Sequence, residues 1–328
     1  MLISVVIPCY NASATIASTI DSALVQKVER EIIVIDDGST DSSREIIASF
    51  GNHIHAEYGP NRGASAARER GTELASGELF QYLDSDDQLV PGTLERRLEA
   101  MREAGADAVY TDWQKLVEMP DGASALGEIM LPDGAMLAHD AEAACADSRF
   151  WVPPAAILYG RSLVERIGGW RSNLRIVQDA RFLFDAAAQK AKFVHAPGIG
   201  ALYRVRSNSL SRQSRAAFVH DCLLNAQEIE AYWKRQNSLT PARLETLRSM
   251  WRHAAMAALV DGTPDFEAAR DKYNGLVEGR RFAFEAGWLL RKLLGAERAG
   301  AIARSRLRAR QRNHYQQHPA ANAAGLDA

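Results

Sequence analysis

The sequence predicts an α/β protein with a doubly wound, mostly parallel sheet flanked by helices, followed by a helical C-terminal extension. Three observations carry that expectation. Short continuous apolar runs at residues 2–7, 31–35 and 80–83 have the length and β-branched content of strands buried on both faces. Helix-length segments alternate with them, which implies right-handed crossovers. Each run ends in a polar loop, at residues 8–11, 36–41 and 84–87. In open α/β sheets ligands sit beyond the carboxyl ends of the strands, so three polar loops on one edge define a candidate site.

Taken in order, the first run is ended by Pro8 and a loop through Cys9, Tyr10, Asn11, Ala12 and Ser13, with a helix over about 14–26. The second run ends in the loop Asp36–Asp41, and residues 42–50 read as a helix. Gly63 opens a helix of small residues that places Arg62 and Arg68 near its start, where arginines suit a diphosphate. No Gly-x-Gly-x-x-Gly follows the first strand, which disfavours a dinucleotide fold. Residues 93–104 read as a helix and 108–110 as a strand. Residues 114–147 read as a hairpin or variable loop, 156–159 as a strand, and 161–167 as a short helix ended by Gly168-Gly169 before Trp170. Gln178-Asp179 opens a further helix, where the dipole favours a carboxylate whether or not it does chemistry. Residues 192–195 and 201–206 read as two strands, and helix runs from about 215 to the end. There Phe218, Cys222, Leu223, Ile229, Trp251, Ala254, Ala255, Ala258 and Leu259 fall near helical spacing and read as core.

The run Phe80-Gln81-Tyr82-Leu83 stops abruptly at Asp84-Ser85-Asp86-Asp87. Three carboxylates this close repel unless a positive charge lies among them. Mg²⁺ takes one or two carboxylates plus phosphate oxygens, which points to a phosphate-bearing substrate. The local sequence equally allows a polar turn in which Asp87 caps the helix after Pro91.

Composition narrows the class without naming it. The 328 residues are 47% apolar and 24% charged, with a net charge of −2, so nothing argues for nucleic-acid binding. Cys9, Cys145 and Cys222 are too few and too scattered for a metal knuckle or a disulfide framework, and fit a reducing cytoplasm. No signal peptide or membrane span is legible. Residues 276–328 carry ten basic and four acidic side chains, and Trp288, Leu289, Leu290, Leu293 and Leu294 precede the basic run 304–312. Such a segment suits either an anionic membrane surface or packing on the catalytic domain with a solvated tail. Residues 316–328 read as disordered.

The set Val5-Val6-Ile7-Pro8-Cys9-Tyr10-Asn11, Val34-Ile35-Asp36-Asp37-Gly38-Ser39-Thr40-Asp41, Asn61-Arg62-Gly63 and Leu83-Asp84-Ser85-Asp86-Asp87 resembles the family 2 glycosyltransferases in content, order and separation, over about residues 1–212. The resemblance implies a GT-A fold in residues 1–212, with residues 213–328 as the helical extension. It implies inverting transfer of a sugar from a nucleoside diphosphate donor, with a UDP-sugar favoured, to a carbohydrate or lipid-linked acceptor in cell-surface polysaccharide or lipopolysaccharide assembly. Pro8 and Tyr10 would flank the base, and Asn11 and Arg62 would line the nucleotide site. Asp37 would meet the base edge, Arg68 would lie near base and phosphates, and Asp84 would reach ribose or metal. Asp86 would hold Mg²⁺ or Mn²⁺, and Asp179 would be the catalytic base. Gly169 and Trp170 would line the acceptor pocket. Tyr203 and Arg204, with residues 207–211, would close over the diphosphate. Many members carry Glu-Asp where this chain has Gln178-Asp179, which leaves open what orients the base. A cytoplasmic protein, peripheral at the inner face of the plasma membrane, fits these roles. A nucleotidyltransferase, or a non-catalytic nucleotide-sugar-binding scaffold, are the competing readings.

Overall fold

A computed structural model describes residues 1–119, 122–147, 150–206, 214–277 and 285–317. The chain divides into two compact units, Met1–Cys145 with Arg149–Ser207, and Ala146–Ser148 with Asn208–Ala328.

The first unit is built on a nine-stranded sheet of order β3-β2-β1-β4-β8-β6-β9-β5, with β7 paired to β6. The strands are β1 (Ile3–Cys9), β2 (Arg30–Asp37), β3 (His55–Gly59), β4 (Leu79–Tyr82), β5 (Gln88–Leu89), β6 (Ala108–Glu118), β7 (Ser124–Met130), β8 (Ile157–Gly160) and β9 (Phe193–Val205). The half β3-β2-β1-β4 is wholly parallel. β8 runs antiparallel between β4 and β6, while β6 and β9 are parallel. Every residue of β1 is buried, as an unbroken apolar run at the centre of a covered sheet requires. Pro8 lies inside β1 rather than ending it. It is tolerated there because the β1–β4 pairing stops at Val6–Tyr82, so no ladder partner on that side needs its missing N–H.

The helices of this unit are α1 (Ile16–Leu24), α2 (Ser43–Ser49), α3 (Ala64–Leu74), α4 (Thr93–Ala104), α5 (Gly134–His139), α6 (Ala141–Ala146), α7 (Arg161–Ile167) and α8 (Gln178–Ala188). α4 and α7 have the ends read from the sequence. Several expectations need correction. β2 continues through Asp36 and Asp37, because both side chains are buried and partnered at the strand end instead of lying in a loop. The edge strand β3 and the two-residue β5 lack the apolar run that would have marked them. The two strands expected at 192–195 and 201–206 are one strand, β9, since β6 offers it a continuous, bulged partner. The segment 114–147 resolves into the β6–β7 hairpin followed by α5 and α6.

The small residues of α3 serve close packing. A Cβ at Gly71 would stand 2.3 Å from Val6 Cγ1 on the fully buried central strand. Close approach is also needed at Gly38, which has φ +81°, and where a Cβ would meet the backbone nitrogen of Asn61 at 2.6 Å. That contact seats the loop after β2 against residues 60–61. A second fixed point is Arg97, a fully buried guanidinium on α4. It donates to Gln81 Oε1 (2.5 Å), Ala155 O (2.9 Å) and Thr111 Oγ1 (2.7 Å), tying α4 to β4, β6 and the turn before β8.

The second unit contains the helices Arg215–Arg235, Pro241–Asp261, Phe266–Leu276, Glu285–Leu294 and Ala296–Gln317. Leu223, Ile229, Trp251, Ala254, Ala255, Ala258 and Leu259 are buried as their spacing suggests, whereas Phe218 and Cys222 are only half-buried. Glu230 anchors this core by accepting from Trp251 Nε1 (3.2 Å), Lys234 and Lys272. The last helix extends to Gln317, so the disorder expected from residue 316 does not hold for residues 316 and 317, and the remainder lies outside the described residues. No helix among the described residues is long and apolar enough to cross a membrane.

Gly71→Ala is expected to destabilise the protein by about 1–2 kcal/mol in chemical denaturation. Overpacking against Val6 costs about 1–3 kcal/mol, which exceeds the up to about 1 kcal/mol that alanine gains over glycine in a helix.

Candidate active site

The carboxyl ends of β1, β2 and β4 bring the three polar loops together. Asn11 adopts φ 49° and stitches the first two: its N–H donates to Ser39 Oγ (3.0 Å), and its Oδ1 accepts from the Thr40 N–H (2.7 Å). Tyr10, beside it, is half exposed. Pro8 is buried beneath. Asp37 is buried and accepts from the backbone N–H groups of Arg62 (2.7 Å) and Gly63 (2.8 Å), which fixes the entry to α3. The two arginines expected together at that entry part company. The Arg62 side chain is exposed, whereas Arg68 is buried, pairs with Asp84 and stacks over the Trp170 ring at 4.6 Å. Arg68 Nε and Nη1 are buried without a partner, so part of this guanidinium still offers donors.

The acidic turn is closed by the Asp87 N–H on Asp84 O (3.0 Å) and held by Thr19 of α1, whose hydroxyl donates to Ser85 O and Asp87 O. Its three carboxylates do not converge. Asp84 goes to Arg68. Asp87 is fully buried and caps no helix: α4 is preceded by Gly92 with no side-chain cap, and Asp87 Oδ1 instead accepts from the Arg204 N–H (2.8 Å). Burial, reinforced by Asp86 and Asp84, raises its carboxyl well above the usual range. Asp86 has a distant cation, Arg206 Nε at 3.9 Å, and the charge of Arg204 also bears on it. Burial, then the charge of Asp84, pushes its carboxyl up to about 6.

Among the described residues no group of three or more His, Cys, Asp or Glu side chains is arranged to hold a metal. The residues present fit a divalent ion that draws most of its ligands from a phosphate-bearing substrate. Asp86 is a carboxylate raised by burial and by a like-charged neighbour, and a cation would favour its ionised form.

β9 closes this side. Arg204 is buried and its guanidinium is committed to Asp86 O (2.8 Å) and Ser124 Oγ (2.8 Å), so it braces the acidic turn against β7. Arg206, not singled out from the sequence, carries a buried Nε with no hydrogen-bond partner. The two-residue alternation of a strand could have found it, since 204 and 206 share a side. Residues 207–211, expected to continue this closing segment, lie outside the described residues.

Asp179 sits in the first turn of α8, and its Oδ2 accepts from Trp151 Nε1 (3.2 Å). Burial raises its carboxyl. The Ala180 N–H, Arg68 and Trp151 act the other way, and Asp84 adds to the rise. Gln178 is buried and turned to Ser65, whose hydroxyl donates to its Oε1. Trp170, expected to line the acceptor pocket, is 8% exposed: it stacks on Phe182 (4.1 Å, 10°) and meets Tyr82 edge-on (4.8 Å). It is a core wedge because Arg68 covers its remaining face. The adjoining Gly169 has φ +104° and lies against Glu69, which accepts the Trp170 N–H. Trp151 was missed because it lies outside any regular element and follows no periodic pattern.

A parallel half-sheet, an acidic turn at its edge and a carboxylate at a helix start define an α/β domain with its candidate site beyond the strand ends. Residues 4–124 match the family described as Glycosyl transferase family 2. The putative teichuronic acid biosynthesis glycosyltransferase TuaG of Bacillus subtilis is 36% identical over 122 residues, 36% of this chain and 48% of that protein. The first curated relatives are matched over 32–48% of their own length. The fold is the GT-A fold: S. aureus TarS 1–349 in complex with UDP-GlcNAc superposes with a TM-score of 0.57 at 17% identity, covering 84% of this chain and 89% of that one. The mannosyltransferase PcManGT from Pyrobaculum calidifontis, in complex with GDP-Man and Mn²⁺, gives 0.53 at 17% identity over 96% and 88%.

A raised Asp179 carboxyl costs stability once it ionises in the fold. That cost is absent below the unfolded pKa and is fully felt as pH rises through the folded one. Asp179→Asn, which keeps an acceptor for Trp151, is expected to melt higher than wild type at pH 8, with the gap closing towards pH 4.

Proposed function

We propose that the chain is an inverting glycosyltransferase that moves a sugar from a nucleoside diphosphate donor, with UDP favoured, to an acceptor hydroxyl. The observation that carries this is Asp179: a carboxylate in the first turn of α8, held by Trp151 Nε1 at 3.2 Å and raised by burial, that shares its electrostatic surroundings with Arg68 and Asp84. An acceptor hydroxyl is too weak an acid to ionise freely, so a positioned base must take its proton during attack. In this reading Tyr10 stacks on the base above Pro8, while Asn11 and Arg62 border it. Asp37 adds the base edge to the two N–H groups it already holds. Arg68 and Asp84 meet ribose and phosphate, and Arg206 joins Tyr203 and Arg204 beside the diphosphate. Gly169 and Trp170 shape the acceptor side from beneath. Asp86 would hold Mg²⁺ or Mn²⁺, which when bound opposes the charge developing on the departing diphosphate. Attack from the Asp179 side, opposite that diphosphate, gives inversion.

The donor complexes of TarS and PcManGT support this at the level of fold, and the TuaG relative supports a setting in cell-surface polysaccharide assembly. A panel of nucleotide sugars, scored by thermal shift with and without Mn²⁺ and then by product, tests it. Nucleoside diphosphate release supports transfer. Pyrophosphate release would mean nucleotidyl transfer, and binding without turnover a scaffold. With the donor found, Asp179→Asn is expected to lower kcat about 10²–10⁴-fold. Asp86→Ala is expected to remove metal-dependent activity, and turnover by Asp86→Ala that is undiminished and indifferent to chelators would sink the metal assignment.

A cytoplasmic enzyme peripheral to the inner face of the membrane is a further part of the reading. It is favoured by the helix Glu285–Leu294, whose Leu289 (51% exposed), Leu293 (71%) and Leu294 (41%) present apolar surface among basic residues. Such a face suits anionic lipid and a lipid-linked acceptor. Flotation with vesicles containing anionic phosphatidylglycerol is expected to carry the full chain. Vesicle binding is expected to fall several-fold when Leu289, Leu293 and Leu294 are all replaced by Ser; equal partitioning would rule the contact out.

A further inference from the structure

The environment of Asp179 contains a part that the family pattern did not supply. Trp151 is gripped edge-on by two rings, Trp113 (5.3 Å, 89°) and Tyr203 (5.1 Å, 81°), which also meet each other (5.5 Å, 73°). A ring packed on two sides has little rotational freedom and aims its one donor in a fixed direction. That donor, Nε1–H, lies 3.2 Å from Asp179 Oδ2. The position where an acidic neighbour was expected holds Gln178, whose amide oxygen is engaged by Ser65. The orienting group therefore comes from the segment before β8, not from the preceding residue.

We propose that Trp151 is the positioning residue for the catalytic base: its indole N–H holds one side of the Asp179 carboxylate in a rigid aromatic bracket and leaves the remaining lone pairs for the acceptor hydroxyl. An ionised carboxylate offers about four acceptor sites, so one N–H from Trp151 and one from the Ala180 backbone leave room for a substrate proton. The N–H favours the ionised form, which is the form that accepts a proton. Among the described residues, the other charged or titratable groups bearing on this carboxylate are Arg68 on α3, Asp84 at the acidic turn, Tyr159 on β8 and Tyr203 on β9. Of the described side chains, Trp151 is the one that donates to Oδ2.

This inference rests on Asp179 being the base, and the experiment separates the two. Trp151→Phe keeps a ring between Trp113 and Tyr203 but removes the donor. The side-chain carboxyl ¹³C resonance of Asp179, assigned by its loss in Asp179→Asn, is expected to titrate about one pH unit higher in Trp151→Phe than in wild type. The acidic limb of the kcat profile should move with it. At optimal pH kcat should fall about tenfold with donor KM unchanged, and Trp151→His, which keeps a ring N–H, should recover part of the rate. Trp113→Phe serves as the packing control and should move the titration much less. An unmoved titration in Trp151→Phe, or equal movement in both Phe variants, overturns the role of Trp151. Full turnover by Asp179→Asn would instead overturn the base assignment, whatever Trp151 does.

Discussion

The structure depends on how it disperses the charge of three aspartates in one turn. Two unit charges about 4 Å apart interact by on the order of 4 kcal/mol near a protein surface, so three carboxylates cannot share one space uncompensated. Each is handled differently. Asp84 is bound by the buried Arg68, Asp87 is sunk into the core against the Arg204 N–H, and Asp86 is left with Arg206 at 3.9 Å. Asp86 is the most exposed of the three and has no close ion pair among the described residues. A carboxylate in that position is the one a cation could reach.

The same dispersal explains the placement of the surrounding elements. Arg68 reaches Asp84 only because α3 lies close to β1, and α3 lies close because Gly71 leaves room for Val6. Arg204 reaches the turn because β9 runs as one long strand along β6 and pairs with β5 just after the turn, and its guanidinium then fastens Asp86 O to Ser124. Thr19 holds the turn from the other side through two backbone carbonyls. The small residues of α3, which read as a helix signal in the sequence, are equally a packing requirement of the site.

Asp179 lies in a separate setting. It sits in the first turn of α8, where the helix dipole favours a negative charge, yet burial works against it. Its support comes from aromatic rings on β6, on β9 and in the irregular segment before β8. The acidic turn rests on ion pairs and loop-to-loop hydrogen bonds, whereas Asp179 rests on a donor fixed by ring packing. The two halves of the site are therefore stabilised by different physics.

Sequence alone determined the strands β1, β2 and β4, the helices α4 and α7 and the GT-A fold, because continuous apolar runs, glycine stops and short motifs are local in the chain. It also identified Asp84, Asp86 and Asp179 as residues of interest, since acidic clusters and helix-start carboxylates are visible without coordinates. It did not show that Asp87 would turn inward, that Trp170 would be a core wedge under Arg68, or that Arg204 would be consumed in bracing the turn. Nor did it reveal β3, the unity of β9, or Trp151 beside Asp179. Those outcomes depend on partners 28 to 117 residues away, as with Trp151 on Asp179 and Arg204 on Asp87. Which carboxylate is neutralised, which is buried and which stays available is decided by long-range packing and burial, and only the tertiary structure sets those.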